Sequence, residues 1–235
     1  MSINRVYAEI SLANMEYNLN FIRKRLPSHC KMILVVKADG YGHGAAAIAQ
    51  RFEYREDVQG FAVATFEEAS ALREIGIIKP ILLLGYSFPE DYDEMIRLDI
   101  TPAVFDEKSM FVLAEKASKA CKKVKVHVKV DTGMGRVGIA PNEEGIIFLK
   151  KLREMPMLEP EGIFTHFAKA DEYDKTYTYH QLKRFRDFVE EAEQRLQMHF
   201  PMKHCANSAG IFSVDVGYMN AVRAGIILYG LMPSD

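Results

Sequence analysis

The stretch Met32-Ile-Leu-Val-Val-Lys37-Ala-Asp-Gly-Tyr41-Gly-His-Gly44 joins a short apolar run to a lysine and then to a glycine-rich turn. A continuous apolar run of this kind is typical of a strand that is buried on both faces of a parallel sheet. A helix is predicted to begin near Ala45, directly after the glycines. Strand, loop and helix in this order form the repeating unit of an α/β fold.

The same unit recurs along the chain, with amphipathic segments between short apolar runs. The predicted strands are Met32–Val36, Phe61–Ala64, Ile81–Leu84, Pro102–Phe105, Val124–Val130, Glu161–His166, Met202–Cys205 and Val222–Leu228. This repetition predicts one domain, residues 1–235, folded as a (β/α)8 TIM-type barrel, and an open doubly wound sheet is the alternative. A further strand is predicted ahead of the barrel at Val6–Ile10. In such a barrel the chemistry belongs to the loops that follow the carboxyl ends of the strands.

Two helices have recognisable signals in the sequence. Thr65-Phe-Glu-Glu68 is a capping box, in which Thr65 accepts from the third amide while Glu68 reaches back to the cap. After Asp171, apolar residues recur at steps of three and four, at Leu182, Phe185, Val189, Ala192 and Leu196. This spacing predicts a long helix with one apolar face.

Composition excludes several classes of protein. Apolar residues make up 49 % of the 235 residues and charged residues 26 %, as in soluble globular proteins. The net charge of −2 gives no electrostatic reason to expect a nucleic-acid partner. Stretches without a charged side chain are about half as long as a membrane helix, so no membrane partner is expected. Arg5 and Glu9 interrupt any signal peptide, and a cytoplasmic location is therefore expected.

The cysteines and histidines favour neither disulfides nor a metal site. Cys30, Cys121 and Cys205 are odd in number and far apart, whereas disulfide frameworks and zinc clusters need closely spaced pairs. The seven histidines include no His-x-x-x-His pair. Reduced cysteines and no metal are therefore expected.

Lys37 is the first candidate for chemistry because it closes an apolar strand. Burying an ammonium group is costly, so such a lysine either pairs with an anion or loses its proton. A lysine with a lowered pKa is a nucleophile toward aldehydes. The structural alternative is a lysine that extends to the rim of the barrel, but the glycines at positions 40, 42 and 44 suit close approach of a ligand.

The segment Lys129-Val-Asp131-Thr-Gly133-Met-Gly135-Arg136-Val-Gly138 follows the fifth predicted strand. It contains a G-x-G-x-x-G pattern, but Pro141 and Asn142 place the next helix too late for a dinucleotide site. It also contains one Asp-Thr-Gly, whereas an aspartic protease needs two such aspartates. The remaining interpretation is that Arg136 presents its planar guanidinium to an oxygen anion, unless Asp131 and Arg136 only brace the loop.

The last three predicted strands are followed by His166, by Asn207-Ser208, and by Gly225-Ile226 next to Arg223. Barrel enzymes often bind a phosphate between the loops after strands seven and eight, using backbone amides. A lysine that traps aldehydes, facing a phosphate cup across the barrel, indicates pyridoxal 5′-phosphate.

These motifs occur in the order seen in a known family. From about Arg5 to Pro233 the chain resembles the alanine racemases, the barrel-type pyridoxal phosphate enzymes. The resemblance implies that Lys37 holds the cofactor and acts as a base on one face of the substrate α-carbon. It also implies a set of cofactor-binding residues, namely Tyr41, His166, Asn207, Ser208, Arg223, Gly225 and Ile226.

The resemblance assigns roles to three further cations. Arg136 corresponds to the catalytic arginine beside the phenolic oxygen of the cofactor, and Lys129 to a lysine that is often carbamylated. Arg223 corresponds to the residue that faces the pyridine nitrogen. Because arginine only donates hydrogen bonds, the ring nitrogen stays unprotonated and the ring is a weaker electron sink. This restraint favours reprotonation of the α-carbon over transamination.

The expected function is interconversion of L- and D-alanine, which supplies D-alanine for peptidoglycan. In the family a second, β-rich domain follows the barrel, pairs with the segment that corresponds to Val6–Ile10, and supplies a catalytic tyrosine across a homodimer. The chain ends about where that domain would begin, so it is expected to be the cofactor-binding domain with little activity alone. The alternatives are a serine racemase domain of the glycopeptide-resistance type, a single-domain pyridoxal phosphate homeostasis protein and a barrel without enzymatic activity.

Overall fold

The structure is a computed structural model, and it describes residues 6–233. Its sheet has eight parallel strands in the order β7-β6-β5-β4-β3-β2-β1-β8. The strands are β1 (Lys31–Val35), β2 (Val58–Val63), β3 (Ile81–Leu83), β4 (Ile100–Val104), β5 (Val124–Lys129), β6 (Leu158–Phe164), β7 (Met202–His204) and β8 (Ala221–Ala224). The two end strands approach each other. The Arg223 N–H in β8 donates at 2.9 Å to Ala206 O, two residues after the end of β7, so the sheet is nearly closed into a barrel. The predicted (β/α)8 barrel is confirmed.

Helices follow the strands around the outside of the barrel. Within residues 6–233 they are α1 (Leu12–Arg23), α2 (Lys37–Gly42), α3 (Ala45–Phe52), α4 (Phe66–Glu74), α5 (Tyr92–Arg97), α6 (Glu107–Lys119), α7 (Glu143–Arg153), α8 (Thr176–Leu196) and α9 (Ser208–Ser213). Short 3-10 helices lie at Pro89–Asp91 and Ile226–Tyr229. The structure confirms the predicted helix start at Ala45 and the long helix after Asp171. The Asn142 side chain caps α7, several residues after the glycines, so the dinucleotide fingerprint is excluded.

Alternate residues of each strand face two different cores. Met32 and Leu34 point outward to the large core under the helices, whereas Ile33 and Val35 belong to a small apolar cluster inside the barrel. The rest of the interior holds buried polar side chains, among them His127, Lys129, His204 and Arg223. The interior therefore has an apolar part near β1–β3 and a polar part near β5–β8.

Seven of the predicted strands are present with bounds shifted by at most three residues, and two predictions differ more. The eighth ends at Ala224 rather than Leu228, because Gly225 (φ −108°, ψ −114°) leaves the extended conformation and a 3-10 helix follows. Val6–Ile10 forms no strand within the described residues; Val6 and Tyr7 are 84 % and 77 % exposed. A strand needs a neighbour to pair its backbone groups, and the described chain offers none there. Pairing of this segment with a second domain stays a prediction.

Across residues 6–233, the helices are all too short or too polar to cross a membrane.

Candidate functional site

A cavity of about 540 Å³ lies at the carboxyl ends of the barrel strands. All ten candidate residues line it: Lys37, Tyr41, Lys129, Arg136, His166, Asn207, Ser208, Arg223, Gly225 and Ile226. The structure thus brings together side chains that are up to 189 positions apart in the sequence (226 − 37). Their individual roles stay predictions.

Lys37 stands at the start of α2, which is a single turn of left-handed helix. Ala38, Asp39, Gly40 and Tyr41 all have φ between 50° and 62°. For residues other than glycine this conformation costs about 1–2 kcal/mol per residue, so it persists only where the surroundings hold it. The Lys37 ammonium makes no hydrogen bond within the described residues, and it lies 5.9 Å from the centre of the Tyr41 ring. The turn therefore presents both side chains to the cavity.

Glu68 is the residue that holds the beginning of this turn. Its carboxylate accepts from the Ala38 N–H at 2.6 Å and from the Ala64 N–H at 2.7 Å. Thr65 caps α4 as the capping box predicts, by accepting from the Glu68 N–H at 3.4 Å. Glu68, however, reaches past the cap to Ala64 and to the residue after Lys37. The capping-box prediction is thus half right, because tertiary contacts redirect the carboxylate.

Glu68→Gln is expected to lower the free energy of unfolding by about 1–3 kcal/mol, because the amide NH2 would face one of the two backbone N–H groups and a hydrogen bond to a charged acceptor would be lost. Glu67→Gln makes the same chemical change at an exposed position of the same helix turn and is expected to cost less than Glu68→Gln. Urea unfolding of the two variants checks this. Equal losses would show that only the charge near the start of the helix matters.

A cradle of hydroxyl groups surrounds Gly225. The Gly225 N–H donates to Ser208 Oγ at 3.1 Å. A Cβ atom at position 225 would lie 3.1 Å from Tyr41 Oη and 3.3 Å from Ser208 Oγ, so glycine keeps the space between them open. Burial raises the pKa of Tyr41, which keeps its hydroxyl protonated and able to donate. The Asn207 side chain instead accepts from the Gly210 N–H at 2.9 Å and caps α9.

Arg223 lies in the floor of the cavity and is 3 % exposed. Its NH1 group donates to His204 Nδ1 at 2.7 Å and to His204 O at 3.0 Å, and NH2 donates to Thr165 O at 2.7 Å. Burial lowers its pKa to about 10, so the guanidinium is charged at neutral pH. Within the described chain no hydrogen bond uses Nε, which leaves that N–H for a ligand.

His166 is the neutral neighbour of this guanidinium. Its Nδ1 lies 3.3 Å from Arg223 NH2. Burial, and then the charge of Arg223, lower its pKa to about 3. The imidazole therefore offers the cavity an uncharged face.

Asp131, rather than Arg136, braces the loop after β5 from within, while Tyr177 and Arg184 of α8 donate to the carbonyl oxygens of Gly133 and Thr132. Its carboxylate accepts from the N–H groups of Gly133 at 2.9 Å and Gly135 at 3.0 Å. Arg136 makes no hydrogen bond within residues 6–233, and it lines the cavity. The alternative in which Asp131 and Arg136 brace the loop together therefore holds only for Asp131.

Lys129 is 2 % exposed, and its ammonium donates to Val130 O at 2.9 Å. Burial and the nearby charge of Arg223 lower its pKa to about 7. Positive groups thus surround the cavity, at Lys37, Lys129, Arg136 and Arg223, while Asp171 is the acidic side chain among the described lining residues. This imbalance suits a ligand with more than one negative charge.

Sequence reasoning missed three residues that lie behind the site, namely the buried His127 and His204 and the partly buried Glu161. His127 contacts both His204 and Glu161 inside the barrel. A signal for them is present in β5, where Lys125, His127 and Lys129 alternate with valines. That period of two places every polar residue on the inner face. Treating Val124–Val130 as an apolar run overlooks this alternation.

Comparison with known proteins agrees with this geometry. The family described as "Alanine racemase, N-terminal domain" matches residues 10–233. The chain is 42 % identical to an alanine racemase of Desulforamulus reducens over 98 % of this chain and 62 % of the relative. It is 44 % identical to an alanine racemase of Geobacter sp. strain M21 over 96 % of this chain and 60 % of that relative.

A solved alanine racemase of Clostridium difficile 630 superimposes with a TM-score of 0.95 at 40 % identity. The match covers 100 % of this chain and 61 % of the solved chain. A second structure, of the same organism's alanine racemase in complex with cycloserine, has a TM-score of 0.92 at 41 % identity and covers 96 % and 62 %. The chain thus spans about three fifths of the length of these relatives. The family match, the sequence identity to the relatives and the superposition on the solved structures all extend over nearly the whole chain. The protein therefore belongs to the alanine racemase family.

Proposed function

We propose that the chain binds pyridoxal 5′-phosphate and forms the cofactor domain of a racemase that interconverts L- and D-alanine. The observation that carries the proposal is the Arg223 Nε–H, free for a ligand, in the same cavity as Lys37 and the hydroxyl cradle at Gly225. The cofactor needs three such partners: an amine for its aldehyde, donors for its phosphate and a group facing its ring nitrogen. The residues present fit that set.

Different side chains of the site would have different roles. Pyridoxal phosphate, when bound, supplies an electron-withdrawing ring that makes the α-hydrogen of an amino acid acidic. The Lys37 amine would hold the aldehyde and would move a proton at one face of the α-carbon. Tyr41, Ser208 and the Gly225–Ile226 backbone would hold the phosphate, and Asn207 caps the helix that carries Ser208. Arg223 donates without giving up its proton, which favours reprotonation of the carbon over transamination.

Alanine is proposed as the substrate because the relatives at 40–44 % identity are named alanine racemases. We further propose that the full-length protein is a cytoplasmic homodimer and that its D-alanine supplies peptidoglycan. Serine as substrate and a purely cofactor-binding role have no specific support in the site.

The experiment is to add pyridoxal phosphate to the polypeptide 1–235 and to follow L-alanine in D2O. Lys37 serves one face of the α-carbon, and the resemblance to the alanine racemases implies that the second base comes from another domain. Exchange of the α-hydrogen with retention is therefore expected to outpace racemisation by about 10²–10⁴-fold, the contribution of one positioned base. No exchange at all would contradict the proposed function, and racemisation as fast as exchange would place both bases within these residues.

We also propose that Lys129 becomes carbamylated. The free amine adds to CO2, a nitrogen–carbon bond forms and one proton is released, so the product is an anion that can pair with Arg136. With a pKa of about 7, roughly a tenth of the amine is free at pH 6 and roughly nine tenths at pH 8. With ¹³C-bicarbonate, a carbamate resonance is expected to grow between these pH values. Its persistence in Lys129→Met would assign it to another amine.

A further inference from the structure

Four side chains, three of them buried and the fourth, Glu161, partly buried, form a line from the floor of the cavity into the barrel. Arg223 NH1 donates to His204 Nδ1 at 2.7 Å, and His204 Nε2 lies 2.9 Å from His127 Nδ1. His127 Nε2 lies 3.5 Å from Glu161 Oε2, and the other carboxylate oxygen pairs with Lys125 at 2.6 Å. Each of the four comes from a different strand, β8, β7, β5 and β6.

Arg223 at one end of the line only donates and the Glu161 carboxylate at the other end only accepts. Together they determine which ring nitrogen carries the proton in His204 and in His127. Arginine only donates, so His204 Nδ1 is an acceptor and the proton of this imidazole is on Nε2. His204 therefore donates to His127 Nδ1, which leaves the proton of His127 on Nε2, toward a carboxylate that accepts. With both rings neutral this is the single consistent arrangement. If His127 carried its proton on Nδ1 instead, that N–H would face the Nε2–H of His204. Moving the His204 proton to Nδ1 would relieve this clash but would place it against the N–H of Arg223 NH1.

Packing holds both rings in these positions. A Cβ atom at Gly162 would lie 2.6 Å from the His127 ring, so glycine at this position provides the room for the imidazole. The Phe164 ring stacks on His204, with centroids 4.8 Å apart and planes 4° apart. Burial, and the charge of Arg223 for His204, lower the pKa of both histidines, in agreement with neutral rings.

We propose that Glu161 is a positioning residue that acts through His127 and His204 to keep the Arg223 Nε–H directed at the ring nitrogen of the cofactor. The part that concerns the cofactor rests on the proposed function. Glu161 touches neither the cavity nor a reacting atom, and its effect is to select the tautomers that let Arg223 donate. A hydrogen-bonded line of this kind is strong only when every member is satisfied.

Histidine tautomers test the line without any cofactor. ¹⁵N NMR of the wild-type chain is expected to show Nδ1 unprotonated and Nε2 protonated in both His127 and His204. Glu161→Met removes the acceptor at similar length and leaves the buried His127 Nε2–H without a partner. The opposite pair of tautomers, whose conflict falls on Arg223 NH1, then competes with the wild-type pair, so mixed tautomers are expected in both rings. Glu161→Gln keeps an oxygen that accepts and is expected to restore the wild-type pattern. Lys125→Met removes only the ion pair with Glu161 and is expected to leave the tautomers unchanged.

Cofactor binding tests the effect on Arg223. Glu161→Met is expected to bind pyridoxal phosphate about tenfold more weakly than wild type, the usual effect of one lost hydrogen bond. A pyridoxal phosphate analogue with C–H in place of the ring nitrogen cannot accept from Arg223, so both proteins are expected to bind it equally. Equal losses for both compounds would show a general packing defect and overturn the proposal.

The outcomes separate the two proposals. If the wild-type chain binds no pyridoxal phosphate, the proposed function fails and the positioning role toward a ring nitrogen fails with it. If the wild type binds the cofactor but Glu161→Met keeps both wild-type tautomers, only the role of Glu161 is overturned. A change in Lys125→Met as large as that in Glu161→Met would assign the effect to the ion pair and would also overturn it.

Discussion

Lys37→Ala is expected to lower alanine racemisation by at least about 10³-fold in the protein that carries this chain, because a positioned acid or base contributes about 10²–10⁴-fold and the covalent hold on the cofactor is lost as well. Borohydride reduction of the wild-type protein with its cofactor is expected to fix the pyridoxyl group on Lys37, as shown by peptide mapping. The variant is expected to bind the cofactor without such a label, since Tyr41, Ser208 and Arg223 are unchanged.

Lys31→Ala is the matched control. Lys31 begins the same strand, and its ammonium donates to Glu56 O rather than to the cavity. This variant is expected to keep both the label and the activity. Lys129 lines the same cavity, so a pyridoxyl group found there would contradict the assignment of Lys37.

Arg223→Glu is expected to lower the free energy of unfolding by about 3–5 kcal/mol, the cost of leaving buried groups unpaired. The guanidinium donates to the carbonyl oxygens of Thr165, His204 and Cys205, and a carboxylate would face the same acceptors with no proton to offer. Arg223→Lys keeps the charge and three donors, so a smaller loss is expected. Urea unfolding of the three proteins checks this order.

In the Arg223→Glu molecules that fold, the balance between racemisation and transamination is also expected to change. An acidic partner favours a protonated ring nitrogen and a stronger electron sink, so racemisation slows and transamination increases. The ratio of pyruvate to D-alanine measures this in the full-length protein. An unchanged ratio would contradict the argument that arginine restrains the cofactor, whatever happens to stability.

The positions of the site residues could be predicted from sequence because a parallel barrel places the carboxyl ends of all strands at one rim. Once the apolar runs were recognised, Lys37, Arg136, His166 and Ser208 could be assigned to the same rim without knowledge of any contact. Local signals also placed the start of α7, through the side chain of Asn142. The predicted end of β8 at Leu228 is wrong, because the apolar run continues through Gly225 into a 3-10 helix.

Tertiary structure decided what these patterns could not. The beginning of the left-handed turn after Lys37 is held by Glu68, 30 residues away from Ala38, which accepts from the Ala38 amide. By sequence alone Glu68 belongs to a helix cap. The protons of His127 and His204 are assigned only when Arg223 and Glu161 stand at the two ends of the line. Sequence therefore determined the barrel and its rim, since both follow from periodicity. The tautomers and the turn depend on hydrogen bonds between distant strands, and only the closed barrel brings those partners within reach.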